Sequence, residues 1–322
     1  MVKTIWSLMD DRRGSVSQAS GVLNALNDEF TIVEKKISYT KFAALPNRIR
    51  GRTLLGISAD SKRQITPPYP DYVLSISRRT APVARYIKKK SPTTKIIQLM
   101  HPGNAGLNEF DLVIVPEHDK NKKQSPNMHY IIGCPHRVTA EYLAEARQKW
   151  AKAFADLPKP LTAVIIGGSI KGKPFPKEDV EALCRGVKEL KQKIGGSILI
   201  TTSRRTGAEA EKIIKAELHD LPQYPYFWGA TGENPYAGFL ACADNIVITA
   251  DSVSMCCEAT ATGKPLYLMV GKKEWPTAKH KRFAQSLIDK KYAVLLGSEV
   301  TPTAAPNVLN AAAEVAALIE KL

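Results

Sequence analysis

The sequence predicts an α/β protein made of two similar halves, each a mostly parallel sheet covered on both faces by helices. Two observations carry this. Short apolar runs with strand character alternate with amphipathic stretches of helical period from one end of the 322 residues to the other. That alternation also restarts after Leu157-Pro-Lys-Pro160, a segment that reads as a linker. The expected domains are therefore 1–157 and 158–304, with a last helix within 305–322 packing back on the first domain.

In the first half, Thr4 to Leu8 reads as a strand and Ser15 to Leu26 as a helix whose Val16, Leu23 and Leu26 share one face. Thr31 to Ile37 is a strand. Gly51 to Pro70 reads as loop around one short strand, because Pro67, Pro68 and Pro70 oppose regular pairing. Strands follow at Tyr72 to Ser75, Lys95 to Leu99 and Leu112 to Val115. Helices are expected at Ala81 to Lys89 and Thr139 to Ala155. The second half places strands at 163–166, 197–201, 224–227, 245–249 and 266–269. Helices lie between them, and the apolar-faced, alanine-rich stretch Asn307 to Lys321 closes the chain.

Composition narrows the function classes. With 44% hydrophobic and 24% charged residues the chain reads as an ordinary globular protein, and its longest apolar runs are far too short to span a bilayer. The N-terminus becomes acidic too soon for a secretory signal, and five cysteines without metal spacing suit a reducing compartment. A cytoplasmic protein is expected. Lys and Arg number 46 against 31 Asp and Glu, a net charge of +15. The basic residues cluster at Arg48 to Arg52, Lys88 to Lys90, Lys120 to Lys123 and Lys272 to Arg282. This field favours phosphorylated ligands or an anionic membrane surface, with the protein then peripheral to the membrane. Nucleic acid is not expected: aromatics are 7% and no binding module appears.

Open parallel sheets bind ligands beyond the carboxyl ends of their strands, so two such domains would share a cleft there. The residues after each strand are the ones to inspect. Asp10-Asp-Arg-Arg-Gly-Ser-Val-Ser-Gln18 follows the first strand. Gly14 would turn the chain into a helix, leaving Asp11 or Gln18 toward a substrate. Met100-His-Pro-Gly103 and Pro116-Glu-His-Asp119 follow two further strands, and a general base is sought among Asp11, His101, Glu117 and His118, with Asp119 orienting an imidazole. Gly167-Gly-Ser169 follows the first strand of the second half and permits close approach of a phosphate. Ser203 and Arg204 could hold another phosphate oxygen. Trp228 would flank a nucleobase or fill the core, and Asn234-Pro-Tyr236 opens a helix. The most telling stretch is Ala243 to Met269: a strand, a small polar turn Asp251-Ser-Val-Ser254, a helix carrying Glu258, then Gly263-Lys-Pro265 and another strand. A helix N-terminus for a diphosphate and a carboxylate one turn on for ribose hydroxyls outline a nucleotide site.

These motifs resemble the elongated-mitochondria family, the plant mitochondrial-fission factors and their bacterial relatives. The likeness runs through Asp11…Gly14…Gln18, Ser77-Arg-Arg79, His101-Pro102, Phe110 to Asp119, Gly167-Gly168, Thr202 to Thr206, Glu233-Asn-Pro-Tyr236 and Asp244 to Pro265. The second half also resembles the nucleotide-sugar domain of GT-B glycosyltransferases, two Rossmann-like domains facing across a cleft. The resemblance implies donor contacts from Gly167, Gly168 and Ser169, with Glu258 on the ribose; Ser203, Arg204 and the turn with Asp251, Ser252 and Ser254 are read as meeting the leaving diphosphate. It also implies transfer from a nucleotide-diphosphate sugar to an unknown, membrane-associated or lipid-linked acceptor. No Asp-x-Asp metal motif is present, and no cofactor or metal is expected. Two other readings stay open: a non-catalytic membrane adaptor of mitochondrial-fission type, and a nucleoside-diphosphate-sugar epimerase.

Overall fold

A computed structural model describes residues 2–120, 124–272, 275–299 and 308–322. Lys122, Lys123, Lys273 and the start expected for the last helix at 305–307 lie outside the described residues. The chain forms two compact units, Met1–Arg137 with Asn310–Leu322, and Val138–Leu309. The division thus comes before the expected Leu157–Pro160 linker, because the helix between them packs with the second unit.

The first unit holds β1 (Lys3–Met9), α1 (Arg13–Asn24), β2 (Phe30–Lys36), α2 (Asn47–Arg50), α3 (Ala59–Arg63), β3 (Tyr72–Ile76), α4 (Ser77–Lys90), β4 (Lys95–Leu99), β5 (Leu112–Pro116) and β6 (Met128–Ile131). Its six strands are all parallel, in the order β2-β1-β3-β4-β5-β6. The sheet is buried on both faces because its strands alternate between two apolar sets. Ile5, Met9, Leu74, Ile76 and Ile97 meet Val22 of α1 on one face. Trp6, Leu8, Val73 and Ile96 meet Val83 and Ile87 of α4 on the other. Each such side chain, fully buried, contributes roughly 1.5–3 kcal/mol. The last helix of the chain supplies Val315 and Ile319 to the first of these faces, as the sequence leads one to expect.

Besides β6, which was not expected, two elements of the first unit depart from the sequence reading. The expected strand in 51–70 is a single bridge, Tyr39 to Ile57, beside two short helices and a 3₁₀ turn. Helix α4 begins earlier than expected and contains Pro82. Proline has no N–H to give the carbonyl four residues back. That carbonyl, Arg78 O, instead accepts Asn47 Nδ2 at 2.9 Å.

The second unit holds α5 (Ala140–Trp150), β7 (Leu161–Ile166), α6 (Lys177–Ile194), β8 (Ser197–Thr202), α7 (Ala208–Leu218), β9 (Gln223–Tyr226), α8 (Tyr236–Cys242), β10 (Asn245–Thr249), α9 (Val253–Thr260), β11 (Leu266–Met269), α10 (Ala278–Asp289) and β12 (Val294–Leu295). The last helix, α11 (Ala311–Glu320), belongs to the first unit. The sheet order is β12-β11-β10-β7-β8-β9, again all parallel. Helix α5 packs on α8, where Trp150 fills the space left by Gly238. In each sheet the strand order reverses at one point, between β1 and β3 in the first and between β7 and β10 in the second. Such points open a crevice at the carboxyl edge.

Candidate active site

Each unit presents its polar side chains at that crevice. In the second unit the turn after β7 is locked from below. Gly167 N–H donates to Thr249 Oγ1 at 2.7 Å, Gly168 N–H to Asp251 Oδ2 at 2.9 Å and Ser169 N–H to Arg205 O at 2.7 Å. A Cβ on Gly167 would lie 2.2 Å from the Asp251 carboxylate, and Gly168 sits at φ +146° against the Arg205 carbonyl. The glycines are therefore required by packing. Close approach of a phosphate was expected here; the two glycine N–H donors are spent inside the fold, which leaves a ligand the surface of the turn and the half-buried Ser169.

Asp251, expected to contact the donor, lies beneath the turn. It is 3% exposed, and Oδ2 also pairs with Arg205 Nη1 at 2.7 Å. It shapes the turn from beneath. Ser203 likewise donates to Gly167 O at 2.8 Å and accepts from Arg205 N–H at 3.1 Å, so its hydroxyl is structural. Arg204, by contrast, is exposed at the same edge. Trp275, missed by sequence reasoning, stacks on Phe175 with centroids 4.2 Å apart and donates its indole N–H to Gly168 O at 3.0 Å.

Helix α9 starts beside this turn. Its N-cap, Ser252, makes no side-chain capping bond, and the first turn contains no acidic residue. The N-terminal end of the helix carries the positive end of its dipole. One turn on, Glu258 accepts a hydrogen bond from Tyr236 Oη at 2.6 Å. Burial, and then the charge of Glu258, push the Tyr236 hydroxyl well above its ordinary value, so it stays a donor and fixes the carboxylate. Trp228 is 55% exposed, which removes the core-filling alternative; its N–H is anchored on Thr202 Oγ1 at 2.8 Å. Asn234 Oδ1 accepts Tyr236 N–H at 2.9 Å and so starts α8. Lys264 of the Gly-Lys-Pro motif turns away from any ligand. Its Nζ caps α8 through Leu240 O at 2.6 Å and Ala241 O at 2.8 Å. Burial and the nearby Arg147 push Lys264 down to about 8.

In the first unit the crevice between β1 and β3 is built on Asp10, whose side chain is fully buried. Asp10 accepts Ser77 Oγ at 3.0 Å and Asp11 N–H at 2.7 Å, and pairs with Arg79. Ser77 has φ +69°, which is costly for a residue other than glycine. It is held there by its bond to Asp10 and by Gln98 Nε2, which donates to Ser77 O at 3.1 Å. Gln98 is fixed in turn by Ser75 Oγ at 2.9 Å, and Ser75 by Thr80 at 2.8 Å. Arg79 also binds Asp11 and lies 4.1 Å from the centre of the Tyr39 ring. Its sequence signal was the Ser-Arg-Arg string after β3. Gly14 lies in the first turn of α1, with open space where a side chain would be, and Gln18 is half-buried.

The four base candidates differ sharply. Arg79's hydrogen bonds hold the Asp11 carboxyl below the usual carboxylate range, which weakens it as a base. His101 Nδ1 accepts Gly103 N–H at 3.1 Å, which leaves the proton on Nε2 of the neutral ring. Burial lowers the His101 pKa and keeps the ring neutral. In this geometry its Nε2, buried and without a partner, is a donor and not a base. His118 is buried, with Nε2 3.9 Å from Asp119 Oδ2. Glu117 is an exposed carboxylate at the end of β5 that Arg79 does not hold.

A family model described as mitochondrial fission ELM1 matches residues 13–322. The uncharacterized protein RP120 of Rickettsia prowazekii (strain Madrid E) is 32% identical over 333 residues, spanning 92% of this chain and 91% of that protein. Mitochondrial fission protein ELM1 of Arabidopsis thaliana is 33% identical over 226 residues, 62% of this chain and 51% of that protein, about half its length. Among solved structures, MurG of Acinetobacter baumannii superposes with a TM-score of 0.52 at 16% identity, covering 99% of this chain and 100% of its own. The UDP-GlcNAc 2-epimerase of Neisseria meningitidis, bound to UDP-GlcNAc, gives 0.52 at 14% identity over 99% of both chains. The expected fold of two Rossmann-like domains, the GT-B type, is thereby shown. The match along almost its whole length places the chain in the mitochondrial fission ELM1 family.

Proposed function

We propose that the second unit binds a nucleoside-diphosphate sugar at the carboxyl ends of β7, β8 and β10, and that the protein transfers the sugar to a hydroxyl acceptor. The observation that carries this reading is the uncapped, acid-free N-terminus of α9 beside a glycine turn locked by Asp251. The α9 N-terminus would take the diphosphate, with Ser252, Ser254 and the exposed Arg204 around it. Glu258, oriented by Tyr236, would accept the ribose hydroxyls, and exposed Trp228 would cover the base. Leaving-group charge would then be met by the helix N-terminus and arginine. Of the two exposed carboxylates among the four base candidates, Asp11 is held by Arg79, so Glu117 is the one that would deprotonate an acceptor.

A transferase is favoured over an epimerase. An epimerase needs an acid and a base at one sugar carbon on the donor side, and there Asp251 and Glu258 are already committed to the glycine turn and to Tyr236. The family name supports a second reading, a non-catalytic adaptor that retains the nucleotide site. Incubating the native chain and Glu117→Gln with a panel of nucleotide sugars and following nucleoside-diphosphate release separates them. Release by the native chain that falls at least a hundredfold in the variant, with nucleotide binding unchanged, supports transfer. Binding with no release by the native chain under any acceptor condition favours the adaptor.

A further inference from the structure

Residues 40–56 form a loop whose polarity is inside out. Its ends are tied by the Tyr39–Ile57 bridge and by Thr40 N–H donating to Gly56 O at 3.0 Å. Gly56 packs on Ala43, where a Cβ would come within 2.9 Å of the backbone. The interior is polar. Arg50 is wholly buried and donates to Leu55 O and Arg79 O, both at 3.0 Å. Asn47, 6% exposed, bonds Arg78 O and Pro102 O, both at 2.9 Å. On the outside are Phe42, 46% exposed, Ile49, 63%, and Leu55, 37%. A loop that orders itself around a buried arginine and leaves three large apolar side chains in water forgoes the usual gain of burial.

The charged residues of the loop itself have one sign. No Asp or Glu lies between Lys41 and Leu55, while Lys41, Arg48, Arg50 and Arg52 do. Lys41 and Arg48 are exposed. Arg52 is held by Glu109 at 2.9 Å. A cavity of about 610 Å³ opens on the same loop, lined by Ala44, Pro46, Arg48, Ile49, Arg78 and Gly103.

We propose that this loop docks the protein on an anionic bilayer, with Phe42, Ile49 and Leu55 entering the interface and Lys41, Arg48 and Arg78 meeting the phosphates of the head groups. The physical case is complementarity. Basic side chains gain from a negative surface, and the apolar tips gain from leaving water at the same place. A second copy of the chain fits less well, since a symmetric pairing would set this basic face against itself. The tie to Arg79, Arg78 and Pro102 makes the loop stiff, so little ordering cost is added on binding. The inference does not depend on the nucleotide-sugar donor site, which is proposed for the other unit.

The test is co-sedimentation of the full chain with vesicles of phosphatidylcholine alone or mixed with phosphatidylglycerol. The native chain is expected to partition onto the anionic vesicles only. The triple variant Phe42→Ser/Ile49→Ser/Leu55→Ser and, separately, Arg48→Glu should each lower that partition at least tenfold. Both change exposed side chains, so unfolding temperature and nucleoside-diphosphate binding should match the native chain. Partition of the triple variant equal to native, even if salt-sensitive, overturns the proposal, because charge alone would then account for it. A native dimer that the triple variant converts to monomer overturns it as well.

Discussion

Asp251 lies directly beneath Gly168, its Oδ2 2.9 Å from the glycine N–H, although the two residues leave different strands of the sheet. The consequence is that the glycine turn after β7 is built by a buried carboxylate and not kept open for a phosphate. Gly167→Ala is expected to collide with that carboxylate, 2.2 Å from the new Cβ, and to cost about 1–3 kcal/mol by overpacking. Asp251→Ala should cost about 3 kcal/mol, since it strands Gly168 N–H and Arg205; the partial exposure of Arg205 keeps the loss at the low end of the range for buried pairs. Denaturant unfolding of both variants checks this, and Asp251→Asn should recover much of the loss.

Ser77 stores strain that can be read by comparing two substitutions. Ser77→Ala removes the bond to Asp10 but keeps the unfavourable φ of +69°. Ser77→Gly removes both. The glycine variant should therefore be more stable than the alanine variant by about 1 kcal/mol, the usual relief at a left-handed position. Equal stabilities would mean that the conformation carries no cost.

The Tyr236–Glu258 pair gives a binding prediction. Tyr236→Phe removes the hydrogen bond to the Glu258 carboxylate, and the affinity of the protein for a nucleoside diphosphate should fall about tenfold, the worth of one charge-assisted hydrogen bond. Trp228→Ala should weaken binding similarly without lowering the unfolding temperature, because the ring is exposed. Calorimetric titration of both variants measures the effect.

Stability should also depend on alkaline pH in two directions. Lys264 and Lys191, both pushed by burial from 10.5 down to about 8, bind fewer protons when folded. Folding is then favoured as pH rises above about 8, by up to about 1 kcal/mol per pH unit for each group. Burial acts oppositely on the Cys184 thiol, pushed from 9.0 up to about 12, and raises Cys242 and Tyr236 too. These groups hold protons that the unfolded chain loses, so they offset the lysine gain from about pH 9 and stability should be falling by about pH 10. Unfolding midpoints from pH 7 to 10 check the shape, and Lys264→Met should flatten the rise alone.

Much of the architecture was legible because the strands are buried on both faces and read as continuous apolar runs, such as Leu112 to Val115. The strands β6 and β12 were not. The first is only partly buried, with His129 and Tyr130 in it, and the second spans Val294–Leu295 alone. The division at Arg137 was hidden because the amphipathic pattern of α5 shows that it packs but not on which unit. At the sites, Glu258 and the α9 start stand out since strand, turn and helix are contiguous. The roles of Asp251 and Asp10 were not readable: each acts on a turn that follows another strand, and only the sheet order brings them together. Adjacent residues also part company. Arg205 is structural beside exposed Arg204, and buried Asp10 sits beside exposed Asp11.

The central claim is that the α9 N-terminus, Glu258 and Trp228 hold a nucleoside diphosphate. Calorimetric titration of the native chain with UDP, GDP, ADP, CDP and TDP tests it most directly, repeated with Glu258→Gln and Trp228→Ala. The account predicts saturable binding of at least one of the five, weakened about tenfold by each substitution. No binding by the native chain, or binding that neither substitution changes, would contradict it.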